Sequence, residues 1–175
     1  MRLFVAAELP ERMLEALSET SAALRDTMHG RYVSPDRFHV TLAFLGEVPA
    51  SDVDDIAQAV ERASLACSPF ATSLGALGTF GRGRNLVLWQ GFARGGDAWA
   101  GLARDVREEL GRQGHSFEGG RFVPHVTLVR RAQIPTAELP MPCVAEDVIQ
   151  TVTLFRSDLS GDVPRYDPLA CSELR

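Results

Sequence analysis

Short apolar and alternating stretches run along this chain, and each stops at glycine, proline or a charged residue. Arg2 to Ala7 (RLFVAA) is an apolar run of strand length. Pro10 then opens a helical stretch to about Met28. Asn85 to Phe92 (NLVLWQGF) predicts a second apolar strand, followed by a helix from about Asp97 to Arg112. In that helix Trp99, Leu102, Val106 and Leu110 recur at the spacing of one buried face. Ser51, with Asp54 and Asp55 behind it, starts another helix that continues to about Ala66. Phe70 to Gly81 is strand-like, and Gly75 and Gly78 within it predict a bulge or bend. Gly81-Arg82-Gly83-Arg84 predicts a hairpin turn into the strand after it. Ala132 to Pro142 has the prolines of a loop. Glu146 to Phe155 alternates toward one strand, which Arg165 to Ala170 can pair with after a turn at Gly161-Asp162.

One tetrapeptide stands out from this pattern. HVTL occurs at His39–Leu42 and again at His125–Leu128, so two of the four histidines share one local context. Each copy follows an apolar strand and a helix. A strand–helix–HVTL unit used twice is an internal repeat of half-domain size, too long and too few for a solenoid. Strand side chains alternate between faces, so each copy puts His and Thr on one side and Val and Leu on the other. The imidazole and hydroxyl then lie about 6–7 Å apart along the strand. Two such strands facing each other gather two acid–base groups and two hydroxyl donors, the equipment for phosphodiester cleavage without a metal. The competing reading is two core strands with satisfied histidines, and the matched surroundings weigh against it.

Beyond the HVTL pair, the stretches MRLFVAAELP, VSPDRFHVTLAFLG, LGTFGRGRNLVLWQG, GRFVPHVTLVR and VTLFRSDLSGDVPRYDPL carry a resemblance over nearly the whole chain. In them the chain resembles the 2H phosphoesterase superfamily, and within it the RNA 2′,3′-cyclic phosphodiesterases, also called 2′-5′ RNA ligase-like proteins. The resemblance implies an α+β, bilobal fold with two mainly antiparallel sheets, an approximate internal two-fold and a catalytic cleft between lobes. It implies hydrolysis of an RNA-terminal 2′,3′-cyclic phosphate to a 2′-phosphomonoester, with 2′-5′ RNA ligation as the reverse reaction. It makes His39 the proton donor and His125 the proton acceptor, a choice that the symmetry of the two motifs leaves open. Thr41 and Thr127 match the family's phosphate-binding hydroxyls, and Arg130 matches the arginine after the second HxTL. Arg131, next on the strand, is expected to point the other way into solvent.

Tyr32 and Phe122 lie just upstream of the motifs, where an aromatic ring can stack on a base; core packing competes with that reading for Phe122. His29 and His115 each adjoin a glycine near a predicted helix end and read as terminal or exposed residues.

Length and composition bound the rest. With 175 residues and 45% hydrophobic content, residues 1–175 read as a single bilobal unit. No apolar run approaches the ~20 residues of a membrane span, and the N-terminus lacks the form of a secretory signal. Cys67, Cys143 and Cys171 have no CxxC spacing and read as free thiols in a cytoplasmic protein.

A net charge of −5 argues against wrapping a long nucleic acid, though not against holding one terminal phosphate. All 18 basic residues are arginine. Coding bias accounts for that total, so position rather than number carries any function. The acidic positions between Ser51 and Glu61 read as a solvated helix face. The Gly81–Arg84 loop precedes no helix and so lacks the setting of a phosphate-binding P-loop.

Neither HVTL has a second metal ligand nearby, so no metal and no other cofactor is expected. The expected partners are RNA ends carrying a 2′,3′-cyclic phosphate or nucleoside cyclic phosphates, with the protein a monomer away from membranes. Two rival readings are a phosphodiesterase for a small cyclic nucleotide or ADP-ribose cyclic phosphate, and an RNA-end-binding module with little turnover.

Overall fold

The computed structural model describes residues 1–161 and 163–175. The first apolar run forms strand β1 (Arg2–Ala7), buried from Leu3 to Ala7. Helix α1 (Glu11–Arg25) follows Pro10 and buries Met13, Leu17 and Leu24 on one face. Next come β2 (His29–Tyr32), β3 (Val40–Glu47), helix α2 (Val53–Leu65), β4 (Phe70–Phe80) and β5 (Val87–Arg94). The chain ends with helix α3 (Gly96–Arg112), β6 (His125–Gln133), β7 (Glu146–Ile149), β8 (Thr151–Asp158) and β9 (Arg165–Glu173).

Two sheets result, ordered β3-β1-β8-β9 and β2-β6-β5-β4-β7, with antiparallel pairing throughout the described residues. The sequence repeat is visible in them. β1 pairs with the first HVTL strand β3, and β5 pairs with the second, β6. With the extra edge strand β2 set aside, β3-β1-β8-β9 corresponds to β6-β5-β4-β7, which is the expected approximate two-fold.

The HVTL registers are pinned by burial. Val40, Leu42, Val126 and Leu128 are fully buried, while His39, Thr41, His125 and Thr127 are half-buried on the opposite faces. Burying each such apolar side chain stabilises by roughly 1.5–3 kcal/mol, and a one-residue slip would exchange them for imidazole and hydroxyl. Those four side chains join Leu3, Val5 and Leu88 in one contiguous core with Ile56 of α2 and Trp99 of α3. Trp99 packs edge-on against Phe70, with centroids 5.1 Å apart, and its Nε1 donates to Thr72 Oγ1 at 3.0 Å. No helix among the described residues is long and apolar enough to cross a membrane.

Three expectations change. Glu146 to Phe155 is not one strand: it breaks at Gln150, and β7 joins one sheet while β8 joins the other. At the break the Gln150 carbonyl accepts from Leu174 N at 2.8 Å, and the Thr151 carbonyl accepts from Glu8 N at 3.1 Å. Alternation along a chain says nothing about which sheet receives it. His29 does not end a helix but opens β2, whose approach to β6 is so close that a Cβ on Gly30 would meet Val129 Cγ1. Finally, the β4–β5 register shifts between Ser73 and Leu77, around Gly75, whereas Gly78 instead makes room for the indole of Trp89. The turn expected at Gly161-Asp162 includes Asp162, which lies outside the described residues.

Candidate active site

His39 is reached through a 3₁₀ turn at Pro35–Arg37 and stands immediately before β3. Its Nδ1 lies 2.7 Å from the backbone oxygen of Arg37. A carbonyl only accepts, so Nδ1 carries the proton and donates it, which leaves the lone pair on Nε2. Thr41 Oγ1 is 3.1 Å from that Nε2, close enough for the hydroxyl to donate to it. The second motif repeats the clamp: Nδ1 of His125 donates to the Val123 oxygen at 2.7 Å. In both cases the acceptor belongs to the residue two before the histidine, so each motif sets its own tautomer.

The two imidazoles sit in one electrostatic environment. Burial pushes His39 down to about 4, opposed by its bond to the Arg37 carbonyl and reinforced by the positive fields of Arg130 and His125. Burial also lowers His125, against its bond to Val123 and with help from Arg130. The free site therefore holds both rings neutral near pH 7. A phosphate anion brought among them would supply the opposite charge that favours an imidazolium.

Arg130 reaches this environment through an irregularity. Strict alternation from His125 would put Arg130 on the side of Val126 and Leu128, inside the core. In the β5–β6 pairing, however, Trp89 lies opposite Thr127 and Leu88 opposite Val129, so Leu128 is an extra residue on β6. The bulge reverses the alternation: Leu128 and Val129 are both buried, and Arg130 emerges exposed on the His125–Thr127 side. Arg131 is also exposed, as expected, and is the one described non-glycine residue with positive φ, at 52°.

Aromatic rings wall both histidines. Phe4 lies 5.0 Å from His39 and Tyr166 meets it edge-on at 5.5 Å. Phe80 meets His125 edge-on at 4.8 Å, with Trp89 at 5.8 Å. The Trp89 Nε1 is buried with no hydrogen-bond partner among the described residues. Beside His39 opens a cleft of about 420 Å³, lined by Thr41, Arg130, Arg2, Phe4 and Tyr166 among others. A hollow of about 360 Å³ adjoins it and shares His39 and Tyr166. A larger concavity, about 700 Å³ between α2 and β9, is lined by no histidine and no arginine except Arg175, so its chemistry offers nothing to a phosphodiester.

Of the residues singled out from sequence, His39, Thr41 and Arg130 line one cleft, the field of His125 reaches His39, and Thr127 lies two residues after His125 on the same half-buried face of β6. Tyr32 and Phe122 do not line that cleft. The Tyr32 hydroxyl donates to the Met28 oxygen at 2.9 Å and the Arg25 guanidinium lies 4.2 Å from its ring centroid, so both its face and its edge are engaged away from the cleft. Phe122 packs against the core, with the Arg107 guanidinium 5.5 Å from its ring. His29 is exposed at the start of β2, and His115 lies in the loop after α3. Sequence reasoning missed Phe4, Phe80, Trp89 and Tyr166. All four fall inside the stretches that carried the resemblance, but only cross-strand register shows that they face the histidines.

Comparison with known proteins gives the family and the fold. A family model described as LigT like Phosphoesterase matches residues 7–89. The RNA 2′,3′-cyclic phosphodiesterase of Thermus thermophilus is 32% identical over 183 residues, covering 100% of this chain and 91% of that protein. A protein of the same name from Geobacillus stearothermophilus is 30% identical over 179 residues, 98% of this chain; the chain spans 56% of that longer relative. The crystal structure of Escherichia coli LigT complexed with 3′-AMP matches with a TM-score of 0.82 at 29% identity, covering 99% of this chain and 97% of that one. The chain belongs to the LigT-like family of 2H phosphoesterases.

Proposed function

We propose that the protein hydrolyses the 2′,3′-cyclic phosphate at the end of an RNA to a 2′-phosphomonoester, with His39 as proton donor and His125 as proton acceptor. Nε2 of His125 takes a proton from water as the water oxygen attacks phosphorus. The bond from phosphorus to the ribose 3′ oxygen breaks, and Nε2 of His39 delivers a proton to that oxygen. Thr41, Thr127 and Arg130 donate to the non-bridging oxygens, whose charge grows in the transition state. A proton donor must start charged, and the phosphodiester anion itself raises His39 from its depressed value in the free site. With the 5′ hydroxyl of a second RNA in place of water, His125 takes its proton as it attacks phosphorus, the bond to the 3′ oxygen breaks with a proton from His39, and a 2′-5′ linkage results.

The observation that carries this reading is the pair of matched carbonyl clamps. They leave one reactive nitrogen on each of two histidines that share the field of Arg130. The names of the relatives support the substrate, and LigT crystallised with 3′-AMP supports a ribonucleoside phosphate in the cleft.

The test is turnover in EDTA of a panel comprising an oligoribonucleotide with a terminal 2′,3′-cyclic phosphate, nucleoside 2′,3′-cyclic phosphates and ADP-ribose cyclic phosphate. Full activity on the oligonucleotide with a 2′-phosphate product is expected. Activity restored only by zinc or manganese rejects the two-histidine mechanism. Binding without turnover would make the protein an RNA-end-binding module instead.

A further inference from the structure

The arginines of this acidic chain are not used alike. Arg62, Arg94, Arg104, Arg112, Arg156 and Arg165 are each paired with a carboxylate. At the outer end of the second sheet the pattern reverses. Arg31 lies directly opposite Arg130 in the β2–β6 register, and neither has a carboxylate partner among the described residues. Like charges directly opposite on neighbouring strands are destabilising unless an anion lies between them.

Beyond that row the chain turns cationic again. Arg131, held at φ 52°, lines a second hollow of about 440 Å³ with Arg84, Asn85 and Gln133. Non-glycine residues pay for a left-handed backbone, and such strain concentrates where a side chain must be aimed. The hollow's loop is fixed by local bonds: Asn85 N donates to Arg82 O at 3.1 Å, and Ala132 N of β6 donates to Leu86 O at 3.0 Å. The glycine–arginine turn is thus fastened to the strand that carries His125, Thr127 and Arg130. Arg131 stands six residues beyond His125, at most ~20 Å along an extended strand.

We infer that Arg84 and Arg131, with Arg31 across from Arg130 on β2, form a second phosphate-binding site that holds backbone phosphodiesters on the 5′ side of the terminal nucleotide. The inference rests on the proposed cyclic-phosphate activity and deepens it, because it makes the preferred substrate an oligonucleotide rather than a mononucleotide. A 2′,3′-cyclic phosphate closes the 3′ end of an RNA, so all remaining phosphates lie on the 5′ side. The guanidinium fork suits their paired oxygens. A nucleoside cyclic phosphate has no phosphate to offer this site.

The test compares kcat/KM for an oligoribonucleotide and for a nucleoside 2′,3′-cyclic phosphate in wild type, Arg84→Ala, Arg131→Asn and the double variant. Asparagine tolerates the left-handed backbone, so Arg131→Asn removes the charge without breaking the strand. The double variant is expected to lose about tenfold on the oligonucleotide and to keep its rate on the mononucleotide, which also reports intact folding. The salt dependence for the oligonucleotide should flatten by about 0.7 logarithmic units per lost contact. Equal losses on both substrates, or none on either, overturn the second site. Absence of wild-type turnover on both substrates overturns the proposed function instead.

Discussion

A histidine whose Nδ1 is committed to a backbone carbonyl has one nitrogen left for chemistry, and both HVTL histidines are held in this way. Burial then sets their charge. His39 titrates near 4 in the folded protein, below the ordinary value of about 6.5. Between those values the unfolded chain binds the proton and the folded protein does not. The resulting stability is fully present above pH 6.5 and drains away as pH falls toward 4. Thermal melts should therefore fall across that window, and less steeply in His39→Gln; an equally steep fall in the variant would remove His39 as the cause. Inorganic phosphate should oppose the loss, because an anion gives the imidazolium a partner.

The motif threonines are tested separately from the histidines. Thr41→Val and Thr127→Val keep shape and strand preference while deleting a donor, so each should slow the chemical step by about 1–3 kcal/mol, roughly 5- to 150-fold, with little change in melting. Val40→Thr and Val126→Thr bury a hydroxyl in the core and should do the reverse. Single-turnover rates beside melting curves separate the two outcomes. If the Thr→Val variants lower only the melting temperature, the assignment of faces is inverted.

At the scale of strands, what could be read from sequence depended on whether one chain segment held the information. The HVTL faces were legible because period-two alternation is local, and the burial of Val40, Leu42, Val126 and Leu128 follows it. β1 was legible as a continuous apolar run of strand length, which is equally local. Arg130 reaches the cleft for a reason alternation does not contain: the extra residue at Leu128 exists only in the register with β5. The break at Gln150 was hidden likewise, since β7 and β8 alternate as one strand yet serve different sheets.

The wall of His125 depends on such a cross-strand fact. Gly78 lies opposite Trp89, and an added Cβ would fall on the indole carbons Cη2 and Cζ2. Gly78→Ala should therefore push Trp89 toward His125 and Phe80. Turnover is expected to fall further than one methyl group's effect on stability would explain, with the change visible in tryptophan fluorescence. Unchanged fluorescence and unchanged kcat would show that the indole does not position this wall.

At the scale of the whole molecule, one strand–helix–HVTL unit occurs in each sheet, and the two meet where Arg130 of the second lines the cleft beside His39 and Thr41 of the first. Each HVTL carries one imidazole and one hydroxyl on its half-buried face, and the bulge of the second brings Arg130 to the cleft. In the proposed mechanism neither unit alone supplies both a donor and an acceptor of protons. The repeat was readable from the chain, and the strand orders β3-β1-β8-β9 and β6-β5-β4-β7 repeat it in the two sheets, but the facing of its two copies was supplied by the resemblance.

The most direct test of this division of labour is the single-turnover rate on an oligoribonucleotide ending in a 2′,3′-cyclic phosphate, compared among wild type, His39→Ala and His125→Ala. Each substitution removes one of two proton transfers, so each variant should be slower by about 10²-fold or more while still binding the oligonucleotide. A near-wild-type rate in either variant would contradict the account, because one histidine would then suffice.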